Sequence, residues 1–182
     1  TATALPGIGD DSELVRTYVH GLLADDRDLE LGDVIDPVWL TQARAEAALV
    51  AGDDDPRWAG LLGADVAVAL RERVDLELPP TNPTRWSRDG EVGLDVIVKH
   101  VPVLRVRVFR VDTAAWFEAN GTDVDLSIDL DGLAAGWEQV IERPQPAIVR
   151  ERLRLPLPAC AQPGTYLVEL IGGGRASRAL VR

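Results

Sequence analysis

The sequence predicts an α+β chain: a helical segment of about three helices, followed by an antiparallel β-sandwich of about seven strands. Three observations carry this. In the first part, apolar residues recur at helical spacing and two Asp-Pro steps mark helix starts. After a proline-rich stretch the pattern switches to strict apolar–polar alternation. The chain closes on Pro163-Gly164-Thr165-Tyr166-Leu167-Val168-Glu169-Leu170-Ile171, then Gly172-Gly173-Gly174, then Arg175-Ala176-Ser177-Arg178-Ala179-Leu180-Val181-Arg182. That is a strand, a glycine turn and a returning strand.

The first helix follows Asp10 or Asp11, either of which can cap it. Leu14, Tyr18 and Leu22, and beside them Val15, Val19 and Leu23, form two adjacent rows on one face. The second helix starts at Asp36-Pro37, where the carboxylate can accept from free amides and proline loses nothing by lacking an N–H. Val38, Leu40, Leu49 and several alanines are expected to form its core side, and Gly52 with Asp53-Asp54-Asp55 to end it. Asp55-Pro56 repeats the start signal for a third helix, with Trp58, Leu61, Leu62, Val66 and Leu70 on its apolar side. Arg71 and Arg73 near its end suit the helix dipole. The segment Leu78-Pro79-Pro80-Thr81-Asn82-Pro83-Thr84 cannot be helical, because its prolines remove donors and restrict their neighbours. The expected organisation is an acidic helical segment over 1–77, a proline-rich linker and opening strand over 78–86, and a sandwich over 87–182.

In the second part, Leu94, Val96 and Val98 alternate with Asp95, Ile97 and Lys99, and Leu104, Val106 and Val108 with Arg105, Arg107 and Phe109. Val124, Leu126, Ile128 and Leu130 alternate with Asp123, Asp125, Ser127, Asp129 and Asp131. Val149, Leu153 and Leu155 alternate with Arg150, Arg152 and Arg154, and Val168 and Leu170 continue the series. Each is the pattern of a half-buried antiparallel strand. Six or seven short strands in about a hundred residues favour a sandwich of the immunoglobulin/fibronectin-like class. Arginines on one strand and aspartates on another are expected to pair across the polar faces, at about 0.2–1 kcal/mol for each pair.

The 182 residues leave room for one large domain or two small ones. No run of about 18 apolar residues predicts a membrane-spanning helix. No leader of signal-peptide type opens the chain, and Thr1-Ala2-Thr3 without any methionine reads as a piece of a longer polypeptide. Cys160 is the single cysteine, which excludes an internal disulfide and a cysteine-based zinc site. Arginine is used almost throughout in place of lysine, with Lys99 alone; with many Ala, Val and Leu residues this suggests a GC-rich bacterial genome. The net charge is −11. Residues 1–75 carry 16 acids and 6 bases, and residues 76–182 carry 14 acids and 13 bases, so the acidity belongs to the helical part. An acidic surface repels a phosphate backbone, so nucleic acid is not an expected partner.

No residue set reads as catalytic, cofactor-binding or metal-binding. Asp123, Asp125, Asp129 and Asp131 are the best metal candidate, but a strand would spread them in a row, whereas calcium needs six to eight converging oxygens. Asp53-Asp54-Asp55 reads as a helix start. His20 on a helix and His100 at a strand end lack the partners of a metal set or triad. Cys160, between Pro158 and Pro163 in a loop, lacks the positive setting of a catalytic thiolate. Gly172-Gly173-Gly174 lacks the helix and Lys-Ser/Thr of a phosphate loop. Trp39, Trp58, Trp86, Trp116 and Trp137 could stack on sugars, although packing is the commoner use of such rings. A hydrolytic carboxylate pair would need two carboxyls about 5–10 Å apart in a cleft.

Three stretches carry a family resemblance. They are Val103-Leu104-Arg105-Val106-Arg107-Val108-Phe109-Arg110-Val111-Asp112, Asp129-Leu130-Asp131-Gly132-Leu133, and Gly164-Thr165-Tyr166-Leu167-Val168-Glu169-Leu170-Ile171-Gly172 with Ser177-Arg178-Ala179-Leu180-Val181-Arg182. Residues of about 76–182 resemble the macroglobulin-type β-sandwich of large bacterial alpha-2-macroglobulin-like proteins. Leu78-Pro79-Pro80-Thr81-Asn82-Pro83 is similar to the start of such a module. The resemblance implies a non-enzymatic scaffold module of a large multidomain protein in protease trapping or envelope defence, placed in the periplasm or cell envelope. Its implied partners are the neighbouring domains of the parent chain and other proteins such as proteases. The family's thioester does not carry over, since Cys160 is followed by Ala161-Gln162 without the flanking glycines and glutamate. The rival reading is a glycan- or peptide-binding sandwich.

Overall fold

A computed structural model describes residues 12–26, 28–53, 55–87, 90–143 and 148–182, apart from the side chains of 12–14 and 24–25. The expected caps Asp10 and Asp11, the side chain of Leu14, and Asp54 lie outside these residues. The chain divides into two compact units between Glu72 and Arg73.

The first unit holds α1 (Ser12–Asp25), α2 (Pro37–Val50), α3 (Pro56–Leu62) and α4 (Ala64–Glu72). Asp36 caps α2: its carboxylate accepts from the N–H groups of Val38 and Trp39 at 3.0 and 2.9 Å. Asp55 caps α3 by accepting from Arg57 N–H at 2.9 Å. Such caps contribute about 1 kcal/mol each. The core joins Val19 and Leu23 of α1 to Leu40, Ala43 and Ala47 of α2. α2 is the central helix, with contacts to α1, α3 and α4, and its buried alanines let the neighbours approach closely.

Two expectations change here. The third helix is two helices, because Gly63 has φ +89 and turns the chain between Leu62 and Ala64. A left-handed φ is open to glycine and strained for other residues. Also, Val15, Tyr18, Val38, Leu61 and Val66 are exposed rather than core, so the apolar faces are wider than the core they cover.

The second unit is an immunoglobulin-like sandwich. In chain order its strands are β1 (Asp75–Glu77), β2 (Gly93–Lys99), β3 (Val103–Val111), β4 (Trp137–Glu142), β5 (Glu151–Pro156), β6 (Thr165–Gly172) and β7 (Arg175–Val181). One sheet has the order β1-β2-β5, the other β4-β3-β6-β7, and all pairs are antiparallel. The main core lies between the sheets: Leu76, Leu94, Val96, Val98 and Leu155 from the first, and Leu104, Val106, Val108, Val168, Leu170 and Val181 from the second. Each fully buried aliphatic side chain contributes about 1.5–3 kcal/mol. β1 falls within the stretch expected to be helical: Asp75, Leu76 and Glu77 pair with Lys99, Val98 and Ile97. The proline segment is tied down as well, since Asn82 exchanges two hydrogen bonds of 2.7 Å with the backbone of Asp95.

The closing hairpin forms as expected. Gly172 pairs with Arg175, and Gly173 and Gly174 take φ +56 and +71. Two left-handed central residues make the tight turn that matches strand twist.

The aspartate series is the main correction. Residues 123–131 form no strand; they are a looped segment with turns. Asp125 accepts from the N–H of Ser127 at 2.7 Å and Asp129 from that of Asp131 at 2.9 Å. These side-chain turns alternate exposed Asp with buried Val124, Ile128 and Leu130, and so imitate a period of two. An additional helix, α5 (Thr113–Asn120), precedes the loop. Together, segment 112–136 forms a third layer on the outer face of the larger sheet, where Phe109, Leu167 and Leu180 stand in one cross-strand row.

Candidate interaction surface

The polar residues singled out in the sequence serve structure at separate places. Glu169, almost fully buried on β6, accepts from Arg107 of β3 at 3.0 Å and from Arg178 of β7 at 2.9 Å. The register places the three residues side by side across the sheet. Arg178 then donates to the carbonyls of Leu126 and Ile128, and Arg182 to that of Val124. The arginines thus grip the aspartate loop by its backbone. On the other sheet, Arg152 and Arg154 donate to Asp95 at 2.9 and 3.2 Å. Burial works to raise the Asp95 pKa, but the two guanidinium groups outweigh it and hold the carboxyl below its ordinary range. Arg–acid pairing across strands is therefore present, with Asp95 and Glu169 in place of the loop aspartates.

Asp75 is buried between Arg73 and Arg150, whose Nε atoms donate to it at 2.5 and 3.3 Å. The same cluster includes Lys99, opposite Asp75 in the register. Burial pushes the Lys99 pKa down to about 8, against the pull of Asp75.

His20 Nε2 lies 2.8 Å from Glu46, which also accepts from Arg16. His100 follows β2 at φ +53. Cys160 is buried in a 3₁₀ turn, Pro158–Cys160, and burial pushes its thiol up to about 11. Such a thiol is protonated at neutral pH and is a poor nucleophile. Among the described residues no three His, Cys, Asp or Glu side chains converge as a metal site requires. The tryptophans are dispersed: Trp39 packs on the helical core, Trp86 and Trp137 on the main sandwich core, and Trp116, on α5, on the outer cluster of Phe109, Ile128 and Leu130. Trp58 carries the Arg57 guanidinium 4.1 Å from its ring centre.

Among the described residues two concave places stand out. A cavity of about 370 Å³ in the helical unit is lined by Leu23, Asp28, Glu30, Arg44, Arg57 and Trp58, a mixture of both charges. A groove of about 540 Å³ in the sandwich unit runs between α5 and residues 128–136. Phe109, Val111, Trp116, Ile128, Leu130 and Leu133 make it mostly apolar, with Arg110, Asp112 and Asn120 also in the lining. Asp112 starts α5 by accepting from the N–H groups of Ala114 and Ala115, and Gly121 ends it at φ +69. The indole N–H of Trp116 is buried without a partner, and Phe117 and Leu133 are exposed nearby on α5 and the loop. A largely apolar groove of this kind suits a protein or peptide surface. The sequence reading missed it because α5 was missed, although Asp112 and Gly121 are the ordinary start and stop signals of a helix.

Two family models match this chain. Residues 1–74 match the actin-binding protein F N-terminal domain, and residues 104–182 match the AbpF first immunoglobulin-like domain. Actin-binding protein F from Dictyostelium discoideum is 27% identical over 178 residues, which is 95% of this chain and 8% of that protein. The chain therefore spans a small fraction of that relative's length. A crystal structure of native alpha-2-macroglobulin from Escherichia coli, spanning domains MG0-NIE-MG1, is matched over 60% of this chain and 39% of that one, at 21% identity and a TM-score of 0.41. The matched family models are not macroglobulin models. What stands of the expected resemblance is the immunoglobulin-like fold.

Proposed function

We propose that this chain is a non-enzymatic, protein-binding part of a longer multidomain protein, and that its partners include actin filaments. One observation carries the reading: the two units match two domains named for the same actin-binding protein, in N-terminal-to-first-sandwich order. The interior supports it. Its buried ionic groups are spent on each other, and its concave surface in the sandwich is mostly apolar. Protease trapping, the finer role implied by the macroglobulin resemblance, has no support from either family match. Glycan binding loses its basis in the dispersed tryptophans.

Co-sedimentation with filamentous actin tests the reading. The 182-residue chain is expected to pellet with filaments in a saturable way, with half-saturation on the order of micromolar to tens of micromolar. Pelleting that does not exceed that of an unrelated acidic protein would remove actin as the partner. Turnover of any substrate by the purified chain would remove the non-enzymatic part.

A further inference from the structure

Among the described residues β4 is an edge strand whose outer side is unpaired, with β3 as its one neighbour in the sheet. Arg143 N–H donates to Pro102 O at 2.9 Å just beyond the strand, which sets the phase of the ladder. Hydrogen-bonded residues alternate along an antiparallel pair. Trp137, Gln139 and Ile141 therefore exchange bonds with β3, and the N–H and C=O groups of Glu138, Val140 and Glu142 point away from the sheet. The side chains of the same three residues share one face, and all three are exposed. Glu138 forms only long, solvent-exposed ion pairs, to Arg105 at 3.6 Å and to Arg107 at 3.9 Å, of the kind worth little in water, and Glu142 makes no ion pair among the described residues. The edge has no proline between Trp137 and Glu142, the device that most directly blocks pairing.

We propose that this edge takes an extended segment of a partner protein as an added strand, with a basic–apolar–basic pattern at alternate positions. The occupant's chemistry follows from the edge. Three outward backbone pairs call for an extended chain, and Glu138 and Glu142 on either side of Val140 call for positive charge on either side of an apolar residue. The inference rests on the protein-binding reading above, but it is tested independently of actin.

The probe is a synthetic peptide with the core Lys-Thr-Val-Thr-Lys, and the readout is amide hydrogen exchange of the full chain by NMR. Peptide is expected to slow exchange at Glu138, Val140 and Glu142 while leaving Gln139 and Ile141 unchanged, since those amides are already bonded. A Val140→Pro variant removes one outward N–H without touching the ladder to β3 and is expected to weaken peptide binding by about tenfold or more. The double variant Glu138→Lys, Glu142→Lys is expected to lose the lysine peptide and gain its glutamate counterpart. It keeps the proposal testable should the proline variant not fold. Absence of protection at the three amides, or binding indifferent to the charge reversal, overturns the proposal. Peptide capture without filament binding would sink the actin reading and leave the edge. Filament binding without peptide capture would do the reverse.

Discussion

Lys99 ends β2 with no exposed surface, set among Asp75, Arg73 and Arg150. Alternation alone places it on the polar face with Asp95 and Ile97; its neighbours across the sheet then bury it. Burial lowers its pKa from 10.5 to about 8, Asp75 opposes this, and the two arginines add to it. The unfolded chain therefore binds more protons than the folded one between these values, and stability rises with pH through that window. Cys160 acts in the other direction. Burial raises its pKa from 9.0 to about 11, so its contribution is fully present below pH 9 and is lost as pH rises toward 11. The clean interval for Lys99 is thus pH 8 to 9. The urea midpoint of the wild type is expected to rise across it, and that of Lys99→Met to stay flat. A wild-type midpoint that falls there would contradict the buried-lysine account. For Cys160, a pKa of about 11 leaves about one thiol in a thousand ionised at pH 8. Labelling by a chromogenic disulfide should accordingly be slow in the native protein and immediate in urea. Fast native labelling would mean an accessible thiolate.

At the level of elements, the third layer depends on the cross-strand row Arg107–Glu169–Arg178. Glu169 pairs with both arginines, and Arg178 reaches on to the carbonyls of Leu126 and Ile128. Glu169→Ala takes from two partly buried cations the acid they share and is expected to cost about 2–4 kcal/mol, below the range for fully buried pairs because both arginines can still reach water. Arg178→Ala should cost less but release the loop, seen as faster hydrogen exchange over residues 124–130 with the β3–β6 ladder still protected. Unchanged exchange would show that Val124, Ile128 and Leu130 hold the loop by packing alone. This layer was the least legible part of the sequence. α5 carries Ala114, Ala115, Trp116, Phe117 and Ala119 nearly all round, so no single apolar face marks it. β4 escaped because an edge strand exposed on most of its length has no clean alternation. The loop of Asp125 and Asp129 passed for a strand because successive side-chain turns also alternate exposed acids with buried aliphatics. β2, β3, β6 and β7 were legible since each has one side in the main core and pairs over its full length. The edge and the groove of the proposed partner surface fall in the illegible part for the same reason: surfaces left free for partners lack the periodicity that burial imposes.

Over the whole molecule, the question is where the sandwich begins. Proline-rich composition suggested a linker starting at Leu78, but the pairing begins earlier. Leu76 is buried in the main core, Ser177 donates to its carbonyl at 2.6 Å, and Asp75 receives Arg73 and Arg150 opposite Lys99. The prolines then lead over the sandwich surface, held by Asn82 on Asp95 and by Trp86 N–H donating to Arg182 O. Each unit has its own core, so a fragment of residues 73–182 is expected to unfold cooperatively with a midpoint close to that of the sandwich in the full chain. A fragment of residues 78–182 differs by only five residues, yet it loses one edge strand and both Asp75 and Glu77, the acids that pair with Arg150. Leaving buried cations without their counter-ion costs about 3–5 kcal/mol, comparable to the net stability of a small domain. The shorter fragment should therefore be largely unfolded or much less stable by chemical denaturation. Adding Asp75 back in an otherwise scrambled leader should recover part of the loss. Equal stability of the two fragments would mean that β1 is an ornament on the sheet and that the composition break at Leu78 is the true boundary.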